Sequence, residues 1–208
     1  MTHLVLALCG WDLPGQVVEE REEQFGPDHA LTLKATVNHL QARVNARQLT
    51  TEDMVNEWRK LQDQQKNALG ADHHDTLVSR NNLANALLSA GKVRQALTHH
   101  KAIMDLRSRV SKSAPDTLIS IFNVACCACL NGDMDYSLKQ LNALAQLGWE
   151  DTASLKSDPD LGMLRDTMMD ECASIYKKCD GNRRRKGKPK IVLEDPAMHQ
   201  SSQSNVHV

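Results

Sequence analysis

The stretch that decides the fold is LGADHHDTLVSRNNLANALLSAGKVRQAL, residues 69–97. It begins with a turn that contains glycine, aspartate and two histidines, and it continues with apolar residues at helical spacing. Similar turns occur before it, in FGPDHALTL (residues 25–33), and after it, in SAPDTL (residues 113–118). The recurrence raises the question of whether this turn carries chemistry or separates structural units.

The three turns belong to an internal repeat. When they are aligned on their final leucines, Leu33, Leu77 and Leu118, the periods are 44 and 41 residues. Two further positions then align across the copies. They are Asn38, Asn82 and Asn123, five residues after each leucine, and Arg47, Gly91 and Gly132, fourteen residues after it. Glycine ends helices in the left-handed conformation without steric cost, so each copy is predicted to be a pair of helices joined by a short turn.

The composition favours the same structure. Apolar residues make up 41% of the chain, but aromatic residues only 3%. A core with few aromatic rings must be built from Leu, Val, Ala and Met. Helix-on-helix packing does this readily, whereas sheets usually rely on aromatic and β-branched residues. The sequence therefore predicts an all-α fold.

Residues 69–97 closely resemble the tetratricopeptide repeat (TPR) in its longer, kinesin-light-chain-like form. That form has a G-x-D-H-x-x-T-L turn, an N-L-A step in the first helix and G-x-x-x-x-A at the hairpin. Residues 113–145 resemble it moderately and residues 25–69 weakly. The resemblance implies a right-handed solenoid of helical hairpins that acts as a scaffold for binding other proteins.

Repeat and composition together predict four parts of the chain. They are a shortened N-terminal helical unit (residues 1–24), three TPR-like hairpins (residues 25–150), a C-terminal capping helix (residues 151–178) and a basic disordered tail (residues 179–208). The capping helix is predicted because Leu161, Leu164 and Met168 begin an apolar stripe at helical spacing, and a solenoid must cover its last exposed face. The tail is predicted to be disordered because it has few apolar side chains to bury.

The first helix of each hairpin is expected to line the concave surface of the solenoid. An aligned stripe on these helices is largely polar and uncharged, and it is the predicted peptide-binding site. The predicted contact residues are Asn38, Gln41, Asn45, Ser79, Asn82, Asn85, Ser89 and Asn123. Asparagine has both donors and an acceptor, so it can bind the backbone of an extended peptide. The alternative is that the asparagines form a ladder between neighbouring helices. No basic residue lies on the stripe, which argues against the family variants that bind terminal carboxylates or acidic peptides.

The histidines and cysteines lack the spacing of a metal site. His29 and His73 occupy matching turn positions, where neighbouring Asp and Thr side chains can cap the next helix. The C-C-x-C pattern at residues 126–129 would point around a helix rather than toward one ion, and Cys127 is predicted to be a small core residue. There is no phosphate-binding loop and no nucleophile motif. We predict no metal, no cofactor, no small-molecule substrate and no enzymatic activity.

The C-terminal tail suggests an alternative function. Residues 177–208 carry a net charge of +5, which leaves −6 for residues 1–176. The basic residues of the predicted tail are Arg183, Arg184, Arg185, Lys186, Lys188 and Lys190. Such a run can bind phosphates or act as a nuclear import signal, which would make the protein a nuclear or nucleic-acid-associated scaffold. It lacks aromatic side chains that stack on bases, so a solvated tail without a partner is the simpler interpretation.

Location can also be predicted from the sequence. No apolar run approaches the roughly 20 residues that a membrane helix needs. The segment LVLALC, residues 4–9, has no basic residue before it and no convincing cleavage site after it, so it is predicted to be a short buried helix. The six cysteines do not suggest a disulfide framework. We expect a cytoplasmic or nuclear protein whose partner is another protein or a peptide.

Overall fold

The computed structural model describes residues 13–185, and within this range the chain is all-α, as predicted. The helices are α1 (Leu13–Phe25), α2 (Ala30–Asn45), α3 (Thr51–Leu69), α4 (His74–Ser89), α5 (Val93–Val110), α6 (Pro115–Leu130), α7 (Met134–Gln146), α8 (Thr152–Ser157), α9 (Gly162–Thr167) and α10 (Met169–Arg185). A 3-10 turn at Pro159–Leu161 connects α8 to α9. None of these helices is long and apolar enough to cross a membrane. The predictions for residues 1–12 and 186–208 lie outside the described residues.

The chain forms two compact units, Met1–Ala90 and Gly91–Val208, and the boundary falls inside the second predicted hairpin. In the first unit, α1 packs against α2, and α3 packs against α4. The packing of α3 on α4 is more extensive than that of α2 on α3. The closest packing therefore joins the second helix of one predicted hairpin to the first helix of the next. Trp58, on α3, is the largest fully buried side chain of this unit.

The turn that closes each helical hairpin has the same backbone conformation in all three copies. Gly91 and Gly132 have φ angles of 69° and 82°, in the left-handed region. Arg47 occupies the aligned position in the first copy and has a φ of 55°, although it is not a glycine. The fold therefore imposes the left-handed conformation on a residue that disfavours it.

This strain can be measured with a pair of substitutions. Arg47→Gly is expected to raise the free energy of unfolding by about 0.5 kcal/mol, because relief of the left-handed strain outweighs the added entropy of the unfolded chain. Gly132→Ala should lower it by about 1 kcal/mol for the opposite reason. A Cβ at Gly132 would meet no atom within 4 Å, so this loss would report backbone strain alone. Urea denaturation measures both values, and Arg47→Ala is the control that keeps the strain.

Helix α6 lies at the centre of the second unit, where it packs against both α5 and α7. Eleven of its sixteen residues are buried. A helix that is apolar on nearly all sides needs neighbours on all sides. The 3-10 turn and α9 supply further contacts to α6, and Phe122 stacks on Trp149 with ring centroids 5.7 Å apart.

The C-terminal segment differs from the prediction of one capping helix that ends at residue 178. It is divided into α8, the 3-10 turn, α9 and α10, and α10 continues to Arg185. Cys179 is fully buried. Asn182 Nδ2 donates hydrogen bonds to the carbonyl oxygens of Ala145 and Trp149, at 2.7 and 3.2 Å. The predicted boundary at residue 179 is therefore wrong, because α10 extends through residues 179–185 to bond carbonyls at the end of α7.

Candidate functional site

Three of the predicted peptide-binding residues lie on α2. Asn38 and Asn45 are exposed, and Gln41 is half-buried. Gln41 Nε2 donates to Asn45 Oδ1 at 2.9 Å, which is an i,i+4 pair along one face of the helix. This bond orients the two amides and leaves the Nδ2 group of Asn45 without a partner among the described residues. A second chain could therefore reach hydrogen-bonding groups on this face.

Asn82, Asn85 and Ser89 lie on α4. Asn82 and Asn85 are half-buried, whereas Ser89 is exposed and donates from Oγ to the Asn85 carbonyl oxygen at 3.2 Å. The side-chain amides of Asn82 and Asn85 form no hydrogen bond with any residue in the described part of the chain. These amides are therefore partly accessible and free to bond to a second chain, as a peptide-binding face requires. A ladder between helices would instead predict hydrogen bonds from these amides to neighbouring helices.

Ser79 was predicted to belong to this set, and that prediction is wrong. Its relative exposure is 0%, so it cannot contact a peptide. Its Oγ has no hydrogen-bond partner within residues 13–185.

The corresponding stripe on α6 is largely covered by the second unit itself. Asn123 is half-buried and interacts with another residue of the chain. Ser120 is buried, and its Oγ accepts a hydrogen bond from Arg107 Nη1 at 2.9 Å. Cys126 is also buried. The candidate site is therefore confined to the exposed and half-buried positions of α2 and α4 in the first unit.

The turn histidines have a structural role, as predicted, but they cap the helices themselves. Nδ1 of His29 accepts a hydrogen bond from the backbone N–H of Leu31 at 3.3 Å. Nδ1 of His73 accepts one from the N–H of Asp75 at 3.2 Å. The predicted caps were the neighbouring Asp and Thr side chains. Instead, Thr32 Oγ1 donates to the Arg21 carbonyl oxygen at 3.1 Å and ties the end of α1 to the start of α2.

One group of metal-ligating side chains converges in the second unit, and the sequence did not indicate it. Cys126 on α6 lies beside Asp158 and Asp160, and a ligand atom from each lies within 4.8 Å of the other two. Burial and then the neighbouring Asp158 raise the pKa of Asp160 to about 6. Burial and then the two aspartates raise the pKa of the Cys126 thiol well above its usual range. The three groups are close enough to repel one another when they are ionised.

The basic residues of the predicted tail are only partly described. Arg183 and Arg184 are exposed near the end of α10, and Arg185 is the last residue of that helix. Lys186, Lys188 and Lys190 lie outside the described residues. A nuclear or nucleic-acid role for this run stays a prediction.

No protein-family model and no curated protein matches this chain. A crystal structure of a Podosopora anserina protein described as a kinesin light chain with nearly identical TPR-like repeats does match. The TM-score is 0.66 at 17% identity over 86% of this chain and 88% of that chain. The fold is a TPR-like helical repeat. A variant of the same fungal protein matches with a TM-score of 0.59 at 20% identity, over 84% of this chain and 79% of that one. At these identities the likeness establishes the TPR-like fold alone.

Proposed function

We propose that this TPR-like chain is a non-catalytic protein-interaction module that binds an extended peptide through uncharged polar groups on α2 and α4. The observation that carries the proposal is the burial and hydrogen bonding of the Asn82 and Asn85 side chains. Both side chains are half-buried, and neither amide has a hydrogen-bond partner in the described structure. A half-buried amide without a partner gains more from a new hydrogen bond than an exposed one, because fewer water contacts are lost.

The chemistry of these helices suits an extended backbone. Each residue of a peptide offers one N–H and one C=O, and an asparagine amide can bond to both. Helices α2 and α4 begin successive repeats, and the first helices of successive repeats line the binding surface of arrays of this kind. The stripe has no charged side chain, so recognition would depend on backbone contacts and shape rather than on the charge of the peptide.

The proposal is tested by selecting binders from a displayed library of random linear peptides and measuring their affinity by calorimetry. The double variant Asn82→Ala/Asn85→Ala should bind selected peptides about 30-fold more weakly, since two neutral hydrogen bonds contribute on the order of 2 kcal/mol. Asn67→Ala, which changes an exposed asparagine on α3, is the matched control and should leave the affinity unchanged.

Two results would count against the proposal. If the wild-type protein selects no peptide, α2 and α4 are not a peptide-binding face. If the double variant lowers the melting temperature sharply and keeps the affinity for a selected peptide, the asparagines support the packing of helices instead.

A further inference from the structure

A buried thiol and two carboxylates meet in the second unit, whereas the peptide-binding face proposed above belongs to the first unit. Cys126 has a relative exposure of 5%, and its Sγ makes no hydrogen bond to a described residue. The carboxylates of Asp158 and Asp160 are half-buried. All three ligand atoms lie within 4.8 Å of one another. A buried thiol without a partner that faces two carboxylates is an unusual arrangement in a core, because it places potential negative charges together out of water.

The backbone holds this arrangement in place. The N–H of Asp160 donates to Asp158 Oδ1 at 2.9 Å, so Asp158 caps the 3-10 turn. Arg165 Nη1 donates to the main-chain carbonyl oxygens of Asp158 and Leu155, at 2.6 and 3.4 Å. The nearby guanidinium therefore bonds backbone oxygens of the segment that carries Asp158.

We propose that Cys126, Asp158 and Asp160 bind a divalent cation of the zinc class. Zinc accepts thiolate sulfur at about 2.3 Å and carboxylate oxygen at about 2.0–2.2 Å, so ligand atoms around it lie roughly 3.5 Å apart. Side-chain rotations that move each ligand atom by about 1 Å would bring the three atoms to that spacing. A thiolate ligand disfavours calcium and magnesium, which take oxygen ligands. Three protein ligands leave the fourth position of a tetrahedral ion to water, and the partly exposed aspartates provide access.

The test uses the full chain, freed of metal with a chelator and then titrated with zinc chloride. One zinc ion per chain should bind, and the melting temperature should rise with zinc concentration. Cys126→Ser and Asp160→Asn should each weaken zinc binding at least tenfold, because each removes one of three ligands. Cys127→Ala is the matched control, since it removes a buried thiol from the same helix that lies outside the cluster.

Two further measurements separate metal binding from a purely structural cluster. Cobalt(II) should give a thiolate charge-transfer absorption with the wild type and with Cys127→Ala, but not with Cys126→Ser. Asp160→Asn should raise the melting temperature of the metal-free protein, because it removes one of two neighbouring carboxylates, and it should abolish the increase produced by zinc. The proposal is overturned if the wild type binds no zinc or if either ligand variant binds it as tightly as the wild type.

Discussion

Removal of residues 179–208 is expected to lower the melting temperature of the second unit by roughly 15 °C, although this segment resembles a disordered tail in composition. The truncation deletes the fully buried Cys179 and Asp180, whose Oδ1 accepts a hydrogen bond from Thr152 Oγ1 at 2.7 Å. It also deletes Asn182 and its two bonds to carbonyls at the end of α7. Together these losses amount to about 4 kcal/mol, at about 1 kcal/mol for each neutral hydrogen bond and more for the charged one.

A shorter truncation provides the control. Removal of residues 186–208 should change the melting temperature by no more than about 1 °C, since the sequence there has few apolar side chains to contribute to a core. The single substitution Asn182→Ala should give part of the loss, about 1–2 kcal/mol, because it removes two hydrogen bonds. Of the two carbonyl groups, that of Ala145 keeps the N–H of Gly148 as a donor, whereas that of Trp149 loses its partner. Differential scanning calorimetry distinguishes the variants. Equal melting temperatures for the two truncated proteins would show that α10 contributes nothing after residue 178.

Acid is expected to destabilise the second unit through His100. This side chain is buried on α5, and its Nε2 has no partner among the described residues. Burial, followed by the charges of His99 and Arg107, lowers the pKa of His100 to about 3. An unfolded histidine titrates near 6.5, so between these two values the unfolded chain binds more protons than the folded one. The free energy of unfolding should therefore fall by about 3 kcal/mol between pH 7 and pH 4.

The contribution of His100 can be isolated by substitution. His100→Gln keeps a polar side chain of similar size but does not titrate, so its stability should fall with acid by about 3 kcal/mol less than that of the wild type. His39→Gln, which makes the same exchange at a half-buried histidine on α2 in the first unit, is the matched control. Urea denaturation across this pH range measures the difference. Parallel curves for the wild type and His100→Gln would show that His100 is protonated in the folded protein as readily as in the unfolded one.

The helical repeat could be predicted because its signals are local. The turn residues and the spacing of apolar positions indicate where α2, α4 and α6 begin. These three helices begin at equivalent positions of the repeat. Even the hairpin turn at Arg47, which lacks glycine, adopts the conformation that alignment with Gly91 and Gly132 implies. A repeated fold supplies three copies of each signal, so one atypical residue does not hide the pattern.

What the sequence could not reveal depends on contacts between distant residues. Ser79 was predicted to share a helix face with exposed polar positions, but it is buried, as are Ala35 and Ser120 at the same offset in the other two copies. The end of α10 could not be predicted from the sequence, because the groups that stabilise it, such as Asn182, are polar. Such residues are typical of a disordered tail unless their hydrogen-bond partners are known. Cys126 and Asp160 lie in different predicted segments, so no local spacing indicates that they meet.

The five cysteines among the described residues are Cys126, Cys127, Cys129, Cys172 and Cys179, and all are buried in the second unit. A buried thiol reacts with an alkylating reagent only after its surroundings open, and the rate then depends on how often they do so. The alkylation rates of these side chains therefore report how often parts of the second unit open. Because they lie on both α6 and α10, the order in which they are modified distinguishes local detachment of the last helix from loss of the whole core.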